Sequence, residues 1–211
     1  MIPKIIFKYS VIYDSFWQQY LEVFYKVYKN PKTKKVLENY PSRIKLNNYI
    51  EKVKPLWEKE EQKVLKEIEK IMNLKWQDPA IKVYLVGSCI PYSDPLTMKP
   101  YKNLNDFIDV LVHELIHQIQ SQNSKTCKKW LDYINKKYAK EKRKAKSHIL
   151  LHAVHKKIYL QLFDEKRLKR NLKRSGKDSY KRAWQIVEEE GYEEIIKKFK
   201  EVMASKSSFS N

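Results

Sequence analysis

The segment from Asn105 to Gln122 constrains the fold of this chain more than any other. It reads NDFIDVLVHELIHQIQSQ, and the pair Asn105-Asp106 at its start is typical of a helix N-terminus. Apolar residues would cover almost every side of such a helix: Ile108, Val110, Leu111, Val112, Leu115, Ile116 and Ile119. A helix that is apolar nearly all round lies in a protein interior, so we predict a buried helix over residues 106–121.

Three polar residues, His113, Glu114 and His117, lie in the middle of this apolar helix. Residues at i and i+4 face the same way, so both imidazoles can reach one ion at the ~2.0–2.1 Å that zinc requires. Glu114 follows the first histidine and would lie beside the metal, where it can take a proton from an activated water. Burying this trio requires partners, and a metal is the best one. The pattern therefore predicts a zinc site.

The other three histidines of the chain, His148, His152 and His155, form a second cluster at i, i+4 and i+7. This spacing puts them on one stripe of one helix, which is otherwise apolar. Because a catalytic zinc has three protein ligands, we predict that this stripe supplies the third. We predict His152, which is central in the stripe, with His148 as the alternative. We expect His148 and His155 to orient the ligand or to stabilise an oxyanion, a role also open to Tyr159.

The remaining sequence predicts a mostly helical α+β protein. Apolar spacing indicates helices over residues 14–29, 49–73, 123–145, 146–163, 178–186 and 190–202. The clearest strand is AIKVYLVGSCI at residues 80–90, and a short extended piece is expected at Leu96–Met98. Residues 2–13 fit a strand or the start of a helix equally well. Pro55 fits a helix only near its start or at a kink.

The order of these parts resembles the zincin metallopeptidases. A long backing helix at 49–73 precedes a strand at 81–86, the stretch SDPLTM, the H-E-L-I-H helix and a second helix bearing histidines. The short connections look most like the compact gluzincins, or minigluzincins, although a histidine replaces their glutamate as third ligand. The resemblance implies a zinc-dependent endopeptidase with a small sheet, a backing helix and an active-site helix. It also implies substrate bound as an added strand along Ile81–Val86 or Leu96–Met98.

This resemblance also sets the expected organisation of the chain. Residues 1–48 would form an N-terminal helical extension, residues 49–205 the zincin-like domain, and residues 206–211 a frayed tail. The extension or the tail could cover the cleft of a latent enzyme.

Composition leaves two other functions open. The formal net charge is +19, and the segments 125–146 and 166–182 are strongly basic, so a nucleic-acid-associated protease resembling the SprT-like enzymes is one alternative. A non-catalytic helical binding protein with a closed zinc site is the other. With 3 glycines the chain has no Gly-rich phosphate loop, which excludes the usual nucleotide-dependent enzymes.

Cysteine usage and hydropathy indicate the compartment and the partners. Cys89 and Cys127 show neither disulfide nor zinc-knuckle spacing, so we expect reduced thiols in a cytoplasmic protein. No stretch approaches the roughly 18 apolar residues of a membrane span, so we expect no membrane partner. The expected partner is a peptide or protein substrate, with nucleic acid as a second possibility. The sequence leaves the oligomeric state open.

Overall fold

The computed structural model describes residues 1–174 and 178–205, excluding the side chains of Arg174 and Asp178. Its strands are β1 (Lys4–Tyr9), β2 (Ala80–Leu85), β3 (Tyr92–Ser93) and β4 (Leu96–Met98). Its helices are α1 (Val11–Tyr28), α2 (Pro31–Glu38), α3 (Arg43–Glu58), α4 (Glu61–Met72), α5 (Leu104–Gln122), α6 (Ser124–Lys137), α7 (Arg143–Leu162), α8 (Glu165–Arg174), α9 (Asp178–Glu190) and α10 (Tyr192–Ala204). The predicted α+β, mostly helical class is confirmed.

The four strands form one open, mixed sheet in the order β1-β2-β4-β3. β1 runs parallel to β2 with Lys4 opposite Ala80, and β2 runs parallel to β4. β3 pairs antiparallel with β4 across the turn at residues 94–95. The predicted strand at 80–90 is shorter than expected, whereas the extended piece at Leu96–Met98 is confirmed. Residues 4–9 are a strand, which resolves the ambiguity of the N-terminal segment.

The chain divides into two compact units. The first, which we call the sheet unit, comprises residues 2–62 and 78–118. It contains the sheet, α1 to α3 and most of α5, and α3 packs on β1. Its core is built from large side chains that are fully buried: Leu46, Val53, Trp57, Val83, Leu85, Met98, Phe107 and Leu111. The strand β1 thus belongs to the sheet unit, although the domain boundary predicted at residue 48 stays a prediction.

The second, which we call the helical unit, comprises Met1, Lys63–Gln77 and Ile119–Asn211, of which 175–177 and 206–211 lie outside the described residues. The predicted frayed tail at 206–211 therefore lies outside the described residues as well. At the centre of this unit α7 packs against α6, α8, α9 and α10. Because α7 is enclosed by helices, its apolar residues Ile149, Leu151, Ala153, Val154 and Ile158 are fully buried.

One buried carboxylate joins separate parts of the sheet unit. Asp14, in the first turn of α1, accepts hydrogen bonds from Tyr9 Oη (2.9 Å), Tyr40 Oη (2.7 Å) and the backbone N–H of Gly87 (2.7 Å). A Cβ on Gly87 would lie 2.5 Å from Cε1 of the Tyr40 ring, so this position requires glycine for the close approach. The three donors come from the end of β1, the segment before α3 and the loop after β2.

The predicted helix at 49–73 is two helices. α3 ends at Glu58 and α4 begins at Glu61, yet the apolar stripe from Val53 to Ile71 is buried as expected. Pro55 lies inside α3, one turn before its end, rather than near its start. Because proline donates no N–H and crowds the carbonyl one turn back, it favours ending a helix soon afterwards.

None of the described helices combines the length and the apolar character needed to cross a bilayer.

Candidate metal centre

The helix α5 carries His113, Glu114 and His117 as the sequence predicted. It spans Leu104–Gln122, and its apolar residues Ile108, Leu111, Val112, Leu115, Ile116 and Ile119 are buried. His113 and His117 are half-buried, with ring centroids 5.1 Å apart and planes inclined by 75°. The two imidazoles are therefore neighbours on one side of a helix that is otherwise enclosed, and each keeps some access to solvent.

The imidazole of His148, at the start of the histidine stripe on α7, is fixed by a backbone hydrogen bond. Its Nδ1 lies 2.7 Å from the carbonyl oxygen of Lys144 and 3.0 Å from Ser147 Oγ. A carbonyl oxygen only accepts, so Nδ1 carries the proton and Nε2 keeps its lone pair. Burial lowers the pKa of His148 to about 4, which keeps the ring neutral. A neutral imidazole with one oriented nitrogen lone pair is the form that ligates metals.

His113, His117 and His148 form a group that could hold a metal ion. One ring nitrogen from each lies within 4.8 Å of the other two. Three ligands at ~2.0–2.1 Å from one ion are at most about 4 Å apart, so small side-chain rotations suffice to close such a site. Among the described residues the group has three members, and all three are histidines. This donor set suits zinc and several other transition-metal ions.

His152, which the sequence analysis preferred as third ligand, lies outside this group. Its ring is buried and stacks on Trp184 of α9, with centroids 4.3 Å apart and planes inclined by only 12°. The alternative, His148, joins the first pair instead. The histidine stripe lies on the side of α7 that packs against α9. His148, the first histidine of the stripe, contacts Tyr180, and it is the one with a ring nitrogen close to those of His113 and His117.

His155 and Tyr159, the other two residues predicted to assist catalysis, lie deep in the helical unit. Both are buried, and their rings are 4.7 Å apart. The Tyr159 hydroxyl accepts a hydrogen bond from Asn171 Nδ2 of α8 at 3.1 Å, inside the same core. The histidine group that could hold a metal includes neither residue.

Glu114 is buried, and burial raises the pKa of its carboxyl to about 7. Burial raises the pKa of the Cys89 thiol to about 12, and the charge of Glu114 acts in the same direction. A carboxyl group with a pKa near neutrality can both accept and release a proton at physiological pH. Its environment therefore suits the general-base role that the sequence predicted for Glu114.

The structure adds one carboxylate that the sequence reasoning missed. Asp109 lies on α5 one helical turn before His113 and is almost fully buried. Carboxylates beside metal-ligating histidines commonly accept the proton of the second ring nitrogen and so orient the ring. The signal in the sequence was its position four residues before the first histidine, on a helix with little polar surface.

Comparison with protein-family models, with curated proteins and with solved structures found no significant match to this chain.

Proposed function

We propose that this chain is a zinc-dependent peptidase with a zincin-like arrangement, in which His113, His117 and His148 hold the metal. The observation that carries the proposal is the placement of three histidine ring nitrogens within 4.8 Å of one another, with Glu114 adjacent to the first ligand. Within residues 1–174 and 178–205 this group offers three ligands, and three protein ligands leave a coordination position open, as in catalytic zinc sites. The triad therefore favours an enzyme over a closed zinc site.

A bound zinc ion would supply Lewis-acid chemistry, lowering the pKa of a water and polarising the scissile carbonyl. Glu114 would accept the proton of that attacking water and pass it to the leaving amine. Its buried carboxyl, with a pKa near neutrality, suits both transfers. His148 would hold its ligating nitrogen in place through the Nδ1–H bond to Lys144. Asp109, one turn before His113, would orient the first ligand in a similar way.

The order of the strands and helices along the chain supports the zincin-like hypothesis. The strands β2 and β4 precede α5, which bears H-E-L-I-H, and α7 carries the third histidine further along the chain. A mixed sheet before the metal-bearing helix is the arrangement that the resemblance implies. The strands named by the resemblance, Ile81–Val86 and Leu96–Met98, are not edge strands, because β2 lies between β1 and β4, and β4 lies between β2 and β3. In this proposal an extended peptide would therefore add at a free edge of the sheet, β1 or β3.

The test compares His148→Gln with His152→Gln, a matched pair of buried histidines one turn apart on α7. Zinc content and zinc affinity are measured on the purified proteins, and circular dichroism checks that each variant is folded. We expect about one zinc per wild-type chain, at least tenfold weaker binding for His148→Gln, and near-normal binding for His152→Gln. Equal losses in the two variants, or loss only with His152→Gln, would remove His148 from the ligand set.

Activity is tested separately with Glu114→Gln, which keeps the ligands and removes the base. We expect this variant to retain zinc and to lose peptide hydrolysis by at least a hundredfold. A variant that binds zinc and still cleaves peptides at the wild-type rate would refute the mechanism. Wild-type protein that binds zinc and cleaves no peptide in a broad library would refute the assignment to peptidases while leaving the metal site in place.

A nucleic-acid-associated protease is the second candidate, and the composition of α8 favours it. Six of the ten residues in EKRLKRNLKR are lysine or arginine. Binding to DNA or RNA that weakens steeply with added salt would support this version, because phosphate contacts release counterions. Peptide cleavage that is unaffected by DNA or RNA would leave the plain peptidase.

A further inference from the structure

The helix α1 exposes an apolar stripe that the proposed peptidase does not use. Ile12, Phe16, Tyr20, Val23 and Val27 are each between 47% and 80% exposed. At 3.6 residues per turn they fall within an arc of about 80° on one side of the helix. Isolated exposed apolar residues are common, but a continuous stripe along a whole helix marks an interaction surface.

The other sides of α1 explain why this stripe stays exposed. The ring of Tyr13 packs edge-on against that of Tyr84 of β2, with ring centroids 4.8 Å apart, and the ring centroids of Trp17 and Tyr92 of β3 are 6.1 Å apart. Asp14, one residue on from Tyr13, is buried by its three hydrogen bonds. The side facing the sheet is thus anchored by polar and aromatic contacts. The apolar stripe is a separate side of the same helix.

A lysine cluster follows the stripe directly. Lys26, Lys29, Lys32, Lys34 and Lys35 are all exposed, and no acidic residue lies between Lys26 and Lys35. The first two belong to the last turn and C-cap of α1, and the others to α2, which packs against α1. We call these five lysines together with the five stripe residues the α1 patch. Lys34 forms an ion pair with Glu38 at 3.7 Å, and the cluster with its five lysines and this one carboxylate still creates a local attraction for anions.

We propose that the α1 patch binds an anionic phospholipid surface, with α1 lying in the plane of the headgroups. Helices that bind in this way combine an apolar face of aromatic and aliphatic residues with neighbouring lysines, and they need not be long enough to span the bilayer. The stripe supplies the side chains that enter the acyl boundary, including the ring of Tyr20, a residue type that favours this depth. The lysine cluster supplies the attraction to acidic headgroups.

Charge favours a lipid surface over a second copy of the chain. Each chain carries a formal net charge of +19, which opposes self-association but favours binding to an anionic surface. This proposal departs from the sequence-based expectation of no membrane partner, because that expectation rested on the lack of a membrane span. It does not depend on the peptidase proposal.

The test is sedimentation of the full chain with vesicles of phosphatidylcholine, with and without phosphatidylglycerol. We expect binding only to the vesicles that contain phosphatidylglycerol. The stripe variant Phe16→Ser/Val23→Ser/Val27→Ser should bind at least about tenfold more weakly. Its matched control, Ile44→Ser/Ile90→Ser/Leu131→Ser, removes exposed apolar side chains elsewhere and should stay within about twofold of wild type.

The lysine contribution is tested by Lys26→Gln/Lys32→Gln/Lys35→Gln against a control of equal net charge, Lys125→Gln/Lys128→Gln/Lys136→Gln. At about fivefold per lysine near the surface, the first triple should lose about a hundredfold in affinity and the second much less.

Three results would overturn the proposal. The first is a wild-type protein that does not bind the vesicles, and the second is an equal loss of binding in the test and control variants. The third is sedimentation velocity showing a wild-type dimer that the stripe variant converts to monomer without changing vesicle binding, which would assign the stripe to self-association.

Discussion

Replacing Asp14 tests how far the sheet unit depends on one buried carboxylate. In Asp14→Ala, the N–H of Gly87 and the hydroxyl of Tyr40 each lose an acceptor at 2.7 Å, and Tyr9 loses one at 2.9 Å. Hydrogen bonds to charged groups contribute about 1.5–3 kcal/mol, but the partly exposed tyrosine hydroxyls can regain water. Gly87 is half-buried like the two tyrosines, and its N–H is a backbone donor that cannot rotate toward water. We therefore expect a loss of about 3–5 kcal/mol in the free energy of unfolding.

Graded variants separate the contributions. Asp14→Asn keeps an oxygen acceptor while removing the charge, so it should cost about 1–2 kcal/mol. Tyr40→Phe removes one of the three donors and should cost about 1 kcal/mol. The double variant Asp14→Ala/Tyr40→Phe should lose less than the sum of the two single losses, because both remove the same hydrogen bond.

Urea unfolding followed by circular dichroism measures these changes, with the exposed Asp132→Ala as a control expected within about 0.5 kcal/mol of wild type. A loss below about 1 kcal/mol for Asp14→Ala, or strict additivity in the double variant, would refute the role assigned to this carboxylate.

Three further predictions follow from buried contacts. Gly87→Ala should destabilise the protein by about 1–3 kcal/mol in urea unfolding, since the added Cβ would meet the Tyr40 ring at 2.5 Å. Burial raises the pKa of Cys89 to about 12 and that of Cys127 to about 11, so at pH 8 few thiolates form. A thiol reagent should therefore label the native protein at least about a hundredfold more slowly than the unfolded chain. Asp109→Asn should weaken zinc affinity about 10–100-fold in a competition titration with a chelator while leaving the fold intact by circular dichroism.

Most of the helices and the pairing of His113 with His117 could be predicted because they depend on spacing along the chain. Apolar periodicity located α1, α5, α9 and α10 to within a few residues. The boundary between the predicted helices at 123–145 and 146–163 was wrong: α6 ends at Lys137 and α7 begins at Arg143, because the basic segment between them shows no apolar periodicity. α8 was missed because Glu165–Arg174 is dominated by charge, and only Leu168 and Asn171 are known to be buried there. Local spacing is thus sufficient where apolar residues repeat along one side of a helix, whether that side is buried as in α5 or exposed as in α1, and insufficient where charged residues dominate.

The third member of the histidine group could be narrowed to two candidates from the sequence, but the sequence could not decide between them. His148 and His152 share one side of one helix, and their apolar neighbours along the chain are similar. What separates them is tertiary: the ring of His152 stacks on Trp184 of α9, whereas a ring nitrogen of His148 lies close to those of His113 and His117 of α5. The position of α9 is not encoded in the residues near the stripe. A choice between ligands one turn apart therefore depends on packing from a distant segment.

The pairing of β1 with β2 joins two strands that are far apart in the chain, so the ribosome makes β1 well before its partner. Each residue of β1 meets a partner about 75 positions later in the chain, so β1 leaves the ribosome long before β2 exists. At roughly 5–20 residues per second the strand waits several seconds without its partner. During that interval its apolar residues Ile5 and Phe7 lack the partner strand that pairs with them in the folded protein. Chaperones that recognise short apolar segments would have their best opportunity on the nascent chain before residue 85 emerges.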